Sequence, residues 1–249
     1  MVELVELPGR LIFLGYFCMN SLCHHSHEEL VSVLSDADAQ KEYAEAGNDY
    51  QVHWLPAFVG GSMVTLGNLL YGKEPDYGKF KALEVIARIP YQSWEVASYM
   101  LLTFCYAHEQ KALELSRTSR FSRAAQDNET MHVIVMSALA KKYNQDSFLR
   151  HTVIPLLFSL CYFAASIILY LIRPKYSFQL NYVFECHAFI QYQRFVDVNQ
   201  EELEKKAILS DFLAEYGRFP KSEYEFFTSV IADELIHRNE SQKEAEKYT

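Results

Sequence analysis

Apolar positions recur along this chain at spacings of three and four, and strict alternation is almost absent, which predicts an all-α protein. A first helix is expected from Val52 to Tyr71, rich in Trp, Phe, Leu and Met. A second runs from Tyr77 to Tyr106, kinked at Pro90, whose ring removes a backbone donor. A third spans Ser119 to Lys142, and Asp146 or Ser147 would cap a fourth that stops at Arg173-Pro174. A fifth covers Tyr176 to Val198. The sixth follows Gly217 to Pro220 and opens with a capping box, Ser222 with Glu225. No repeat of solenoid period is present. These lengths suit a bundle built from residues 51–249. Residues 1–50 are mixed in pattern, with an acidic tract from Ser35 to Asp49, and read as an N-terminal extension of unassigned role.

The fourth segment bears on location. From Thr152 to Ile172 there is no charged residue, and Arg150, His151, Arg173 and Lys175 flank the stretch. It is long and apolar enough to span a bilayer. It would equally suit a helix with one face on the bundle and the other in a single leaflet, or a helix buried all round in a soluble core. No second stretch is equally clean, and the pattern favours the first two readings over the third without separating them.

Composition narrows the classes. The 249 residues are 50% hydrophobic, 14% aromatic and 22% charged, enough for a sizeable core and unlike a disordered chain. A net charge of −9 and a pI near 5.5 argue against nucleic acid as a partner. Cys18, Cys23, Cys105, Cys161 and Cys186 are odd in number and scattered, with no CxxC pair, as in a reducing compartment. Glu3 and Glu6 speak against a targeting peptide at the start. Either no signal is needed or the numbering begins after one.

Two tetrads of the form Glu-x-x-His carry the chemistry: Glu129 with His132, and Glu234 with His237. This spacing puts a carboxylate and an imidazole on one helical face, where both can reach the same metal. Each tetrad falls in a different expected helix, and the other long helices hold Glu84 and Glu185 within apolar runs. An unpaired carboxylate in such a run costs several kcal/mol or shifts its pKa until neutral. The order Glu, Glu-x-x-His, Glu, Glu-x-x-His over four helices is what a ferritin-like di-iron carboxylate bundle needs. Four carboxylates balance the net charge of two ferric ions with a bridging oxide. Glutamate and imidazole suit iron or manganese better than a soft ion.

The same stretches resemble a known family. KALEVIARIPYQSWEVAS is similar to the "LETIARVPY" region of plastid terminal oxidases and, more loosely, to the "LET" motif of alternative oxidases. DNETMH resembles their "NE-x-M-H". FECHAFIQYQRF followed by EELEKK resembles "EKHAFSTYDKF…DELKK", and IADELIHRNES resembles "ADE-x-x-HR-x-x-N". All four motifs lie in order between Asp76 and Ser241, and Glu-x-His-Ala-Phe at 185–189 leans toward the plastid branch. The resemblance implies a monotopic, typically dimeric, membrane-bound di-iron quinol oxidase with one or two membrane-associated helices beside the bundle. It implies Glu84, Glu129, His132, Glu185, Glu234 and His237 as ligands of two irons. Tyr192 would be the tyrosine beside the metals, with Asn128 and Asp233 orienting the ligand histidines. Lys79, Leu83, His187 and Ala188 fall where the family's quinol pocket is lined. The family has arginine where this chain has Lys79, which keeps the charge and loses the planar fork.

The expected activity is quinol:oxygen oxidoreduction, dioxygen going to water without proton pumping. The membrane would be that of a plastid or thylakoid, the mitochondrial inner membrane, or a bacterial one. Two other readings share the ligand order: a membrane-bound di-iron hydroxylase of quinone biosynthesis, and a structural subunit of a larger assembly. Cys23, His24, His25, His27 and Glu28 imitate a metal cluster but lack a fixed finger spacing and read as a solvated turn. Glu201 to Lys206 reads as a solvated helix end.

Overall fold

A computed structural model describes residues 27–47, 49–208 and 210–248. The chain divides at Asp49 into two compact units. In the first, α1 (His27–Val33) precedes α2 (Ala37–Glu45). Asp36 caps α2, its carboxylate accepting from the Ala39 amide at 3.0 Å and satisfying one donor that a helix start leaves unpaired. Cys18, Cys23, His24 and His25 lie outside the described residues, whereas His27 and Glu28 open α1.

Among its described residues the second unit contains helices and no strands. They are α3 (Trp54–Tyr71), α4 (Tyr77–Ala87), α5 (Ile89–Cys105), α6 (Glu109–Lys142), α7 (Ile154–Ile172), α8 (Pro174–Lys205), the short α9 (Asp211–Glu215) and α10 (Glu223–Glu246). The helices α4, α6, α8 and α10 make the bundle, with α8 and α10 its most extensive pair. Outside them, α3 and α7 pack on α8, and α5 packs on α6 and α7.

Several boundaries differ from the sequence expectation. The expected second helix is two helices, broken at Arg88, and Pro90 stands in the first turn of α5. There its missing N–H removes no intrahelical bond, so the proline starts a helix instead of kinking one. α6 begins at Glu109, upstream of Ser119, because Glu109 to Leu115 are strong helix formers despite a thin apolar pattern. α8 continues through the acidic tract to Lys205, where Glu202 pairs with Lys206 at 2.7 Å on the exposed end. Of the two expected caps Ser147 serves, its hydroxyl accepting from the Arg150 amide at 3.4 Å and its carbonyl from the His151 amide at 2.7 Å. Asp146 is drawn to Lys81 at 2.7 Å, and a π-helical turn, Leu149–Val153, leads into α7. At α10, the Ser222 hydroxyl accepts from the Glu225 amide as expected, but the Glu225 carboxylate accepts from Lys221 N, one residue early.

Two glycines matter for α3. A Cβ on Gly60 would lie 2.8 Å from Val183 Cγ1, so the missing side chain lets α3 sit close against α8. Gly72, at φ +87°, ends the helix. The apolar core flanks the bundle's centre on both sides. One cluster gathers Phe80, Met131, Tyr192, Phe195 and Phe227, and the other Tyr91, Trp94, Ala125, Tyr170 and Phe178.

The long apolar segment is not a core helix. Its inner face carries Ser159, Tyr162, Ser166 and Tyr170, and its outer face exposes Leu156, Leu157, Leu160, Ile168 and Leu171. The outward side is thus more apolar than the inward one, the reverse of a soluble bundle helix. α3 likewise exposes Trp54, Phe58, Leu66 and Leu69.

Candidate metal centre

Glu84 on α4, Glu129 and His132 on α6, Glu185 on α8, and Glu234 and His237 on α10 converge at the middle of the bundle, none more than 1% exposed. They form two candidate ligand sets, each able to hold a metal ion. One is Glu84, Glu129, His132 and Glu234; the other is Glu129, Glu185, Glu234 and His237. Within each set the ligand atoms lie within 4.8 Å of one another, and Glu129 and Glu234 belong to both. Nδ1 of His132 stands 3.4 Å from Glu84 and Glu129 and 3.5 Å from Glu234. Nδ1 of His237 is 2.7 Å from Glu129.

Four carboxylates this close repel one another in a medium that solvates them poorly. Burial, reinforced by the Glu129 charge, pushes the Glu84 carboxyl up to about 8. The same two causes raise Glu185 and Glu234. Burial acts on Glu129 in the same sense, but hydrogen bonds from His132 and His237 outweigh it and hold Glu129 below the usual carboxylate range. Burial alone would lower both imidazoles; Asp233 and then the glutamates raise His132, and Glu129 raises His237. Without metal, shared protons and imidazolium charge therefore do the neutralising. Even so, Oε2 of Glu84 and both carboxylate oxygens of Glu234 find no hydrogen-bond partner. Buried polar atoms are nearly always paired. Two cations between the ligand sets would engage these atoms and displace the protons. The oxygen and imidazole donors fit iron.

Around the six, the Asp233 carboxylate accepts from Nε2 of His132 at 2.8 Å, leaving Nδ1 toward the cluster. Arg218 grips Asp233 through both terminal guanidinium nitrogens, one pair at 2.8 Å. Asn128 is buried on α6, and its Oδ1 has no hydrogen-bond partner. Tyr192 is fully buried, stacked on Phe80 with centroids 4.1 Å apart, and its hydroxyl donates to Oε1 of Glu84. Tyr91 donates to Oε1 of Glu185 at 2.7 Å, and Nδ2 of Asn181 reaches the same oxygen at 2.8 Å.

Arg218, Tyr91 and Asn181 escape the sequence reading for different reasons. Asn181 stands four residues before Glu185 on the same helix face, so its spacing was an available signal. Tyr91 lies beyond the break at Arg88, where no helical register relates it to Glu84. Arg218 sits in the connection between α9 and α10, without periodicity to place it.

Lys79, Leu83, His187 and Ala188 line one cavity with Glu84 and Glu185, and Met63 of α3 and Phe158 of α7 contribute apolar wall. Burial, helped by the Lys79 charge, pushes the His187 imidazole down to about 4. The Lys79 ammonium is engaged elsewhere. It donates to Gln191 Oε1 at 2.7 Å, the Gly72 carbonyl at 2.9 Å, and Asn68 Oδ1 and the Lys73 carbonyl at 3.1 Å. It thus fastens the end of α3 to α4 and α8. Lys79→Met should lower stability by about 1–3 kcal/mol by stranding these acceptors, as chemical denaturation would measure.

Four helices supplying two carboxylate-rich ligand sets with two shared glutamates define the class: a ferritin-like di-iron carboxylate bundle. Within that class the chain belongs to the alternative oxidase family, whose profile, described as "Alternative oxidase", matches residues 52–246. The chain is also similar to "Ubiquinol oxidase 4, chloroplastic/chromoplastic" of Arabidopsis thaliana, 25% identical over 147 residues. That alignment covers 59% of this chain and 38% of the relative, so the chain spans well under half of that protein's length. No solved structure matches the chain significantly.

Proposed function

We propose that this chain is a quinol:oxygen oxidoreductase, in which two quinols reduce one dioxygen to two waters and leave as quinones, without proton pumping. The observation that carries the reading is the pair of ligand sets joined through Glu129 and Glu234, with Glu84 and Glu185 also lining the adjoining cavity. Two irons held there by the six residues would supply the exchange of electrons with dioxygen. The chain does the rest. The apolar walls from Met63 and Phe158 suit a quinol ring, and a neutral His187 offers a nitrogen to its hydroxyl. Asp233, braced by Arg218, keeps the His132 ring oriented. The aromatic side chains packed on both sides of the six residues keep bulk water out. Oxygen uptake by purified, iron-loaded protein with a fully substituted quinol tests this directly. Quinone and water as the products support it, and a hydroxylated product would assign the chain to hydroxylase chemistry instead.

The same reading makes the protein a homodimer in one membrane leaflet, in a plastid membrane by analogy with its plant relative. The outward-facing leucines of α7 and the exposed Trp54, Phe58 and Leu69 of α3 support a lipid-facing surface. Cysteine labels placed near Arg150 and Lys175, in a background without native cysteines, should react from the same side of sealed vesicles. Labelling from opposite sides would make α7 a span and reject the monotopic arrangement.

A further inference from the structure

Glu185 is held by a bracket that lies outside the two ligand sets. Tyr91 is fully buried in the first turn of α5, and its hydroxyl donates to Oε1 of Glu185 at 2.7 Å. From one turn earlier on α8, Nδ2 of Asn181 approaches the same oxygen at 2.8 Å. It also stands 3.0 Å from the Tyr91 hydroxyl and 3.0 Å from Oγ of Ser241 on α10. The Tyr91 ring lies 5.4 Å from the His237 ring and edge-on to Trp94 at 5.2 Å. Glu185 and His237 are the two members of one ligand set that the other set does not share. Tyr91 therefore meets both residues peculiar to a single metal position, and directs neither of its hydrogen bonds to the other position.

We propose that Tyr91 is the positioning residue of the metal position formed by Glu129, Glu185, Glu234 and His237, tying Oε1 of Glu185 so that Oε2 alone is offered to the ion. The inference rests on the di-iron reading. A carboxylate group rotates broadly about its last torsion. Two donors on one oxygen remove that freedom and leave the other oxygen aimed inward. The ring, packed beside His237, restrains the second unshared ligand in the same way. Glu84 has a counterpart in the Tyr192 hydroxyl, but that tie comes from another helix and serves the other position. The two positions are thus separately supported, and loss of the Tyr91 hydroxyl should weaken one ion alone. Outer partners of metal ligands typically change affinity by about 10–100-fold.

Anaerobic titration of the purified, iron-free full chain with ferrous iron, followed by calorimetry, tests this. The wild type should take up two ions. Tyr91→Phe should also take up two, one with a dissociation constant raised about tenfold and the other unchanged. Asn181→Ala, which strips the other donor from the same oxygen, should weaken the same ion. Trp94→Phe is the packing control: it loses the 2.7 Å bond from Nε1 to Ser177 and should lower the melting temperature while leaving both constants alone. Two wild-type constants in Tyr91→Phe overturn the role of Tyr91 and leave the di-iron reading standing. Equal weakening in Trp94→Phe also overturns it, because packing would then be the cause. A wild type that binds no iron rejects the di-iron reading and this inference together.

Discussion

Glu129→Ala should strip the protein of both irons and reduce quinol-dependent oxygen uptake to background. Glu129 belongs to both ligand sets, and its two oxygens face the imidazoles of both sets, His237 at 2.7 Å and His132 at 3.4 Å. Its loss removes a donor from each position at once, and the carboxylate that draws on both imidazoles disappears. Even outer partners of metal ligands cost about 10–100-fold in affinity, so a shared ligand should cost more than about 100-fold. His237→Ala acts on one set only and should leave at most one tightly held iron. Turnover should be lost there too, since the proposed chemistry uses the pair. Iron analysis of the two variants, with circular dichroism to confirm helicity, separates these outcomes. Full occupancy in Glu129→Ala would remove Glu129 from the ligand list.

The convergence of the six side chains was legible because helical spacing is a local property. Glu-x-x-His at 129–132 and 234–237 fixes which side chains share a face, and a glutamate in an apolar run announces a partner to come. Tyr192 came from the family resemblance, and seven residues, close to two full turns, put it on the Glu185 side of its helix. Its partner was not legible. The hydroxyl crosses the bundle to Glu84 on α4 instead of staying beside Glu185, and that depends on how α4 and α8 pack. Lys79 shows the same limit. The sequence offers a cation at the edge of a pocket, whereas the fold spends its protons on Gln191, Asn68 and two carbonyls at the end of α3. Arg218 lies in a connection that no periodicity governs, and only the folded chain brings it to Asp233. The uncharged segment at 152–172 left three environments open by composition alone. The burial of its serines and tyrosines, with leucines outward, excludes the fully buried one.

Tyr192→Phe should separate metal binding from turnover. The substitution removes one oxygen from a ring that stays stacked on Phe80, so the helices around it have no reason to move. Tyr192 belongs to neither ligand set, and at saturating iron the variant should still hold two ions per chain. What it loses is the hydrogen bond to Oε1 of Glu84 and a phenol that can give up an electron. On the proposed reading dioxygen needs four electrons and each quinol brings two, so after one quinol two are still owed, and the buried Tyr192 phenol could lend one of them until the second quinol repays it. Its proton has one acceptor in reach, Oε1 of Glu84, so the electron can leave the ring without stranding a charge. Burial, with the Glu84 charge next in effect, pushes the Tyr192 hydroxyl well above its ordinary range, so the proton is in place before that step. Quinol-dependent oxygen uptake should therefore fall by about tenfold or more, a barrier increase of about 1.4 kcal/mol. A purely packing role would give the opposite pattern, full activity with a small loss of stability. Unaltered turnover in an iron-replete Tyr192→Phe protein would end the redox role of this tyrosine and leave the metal centre as described.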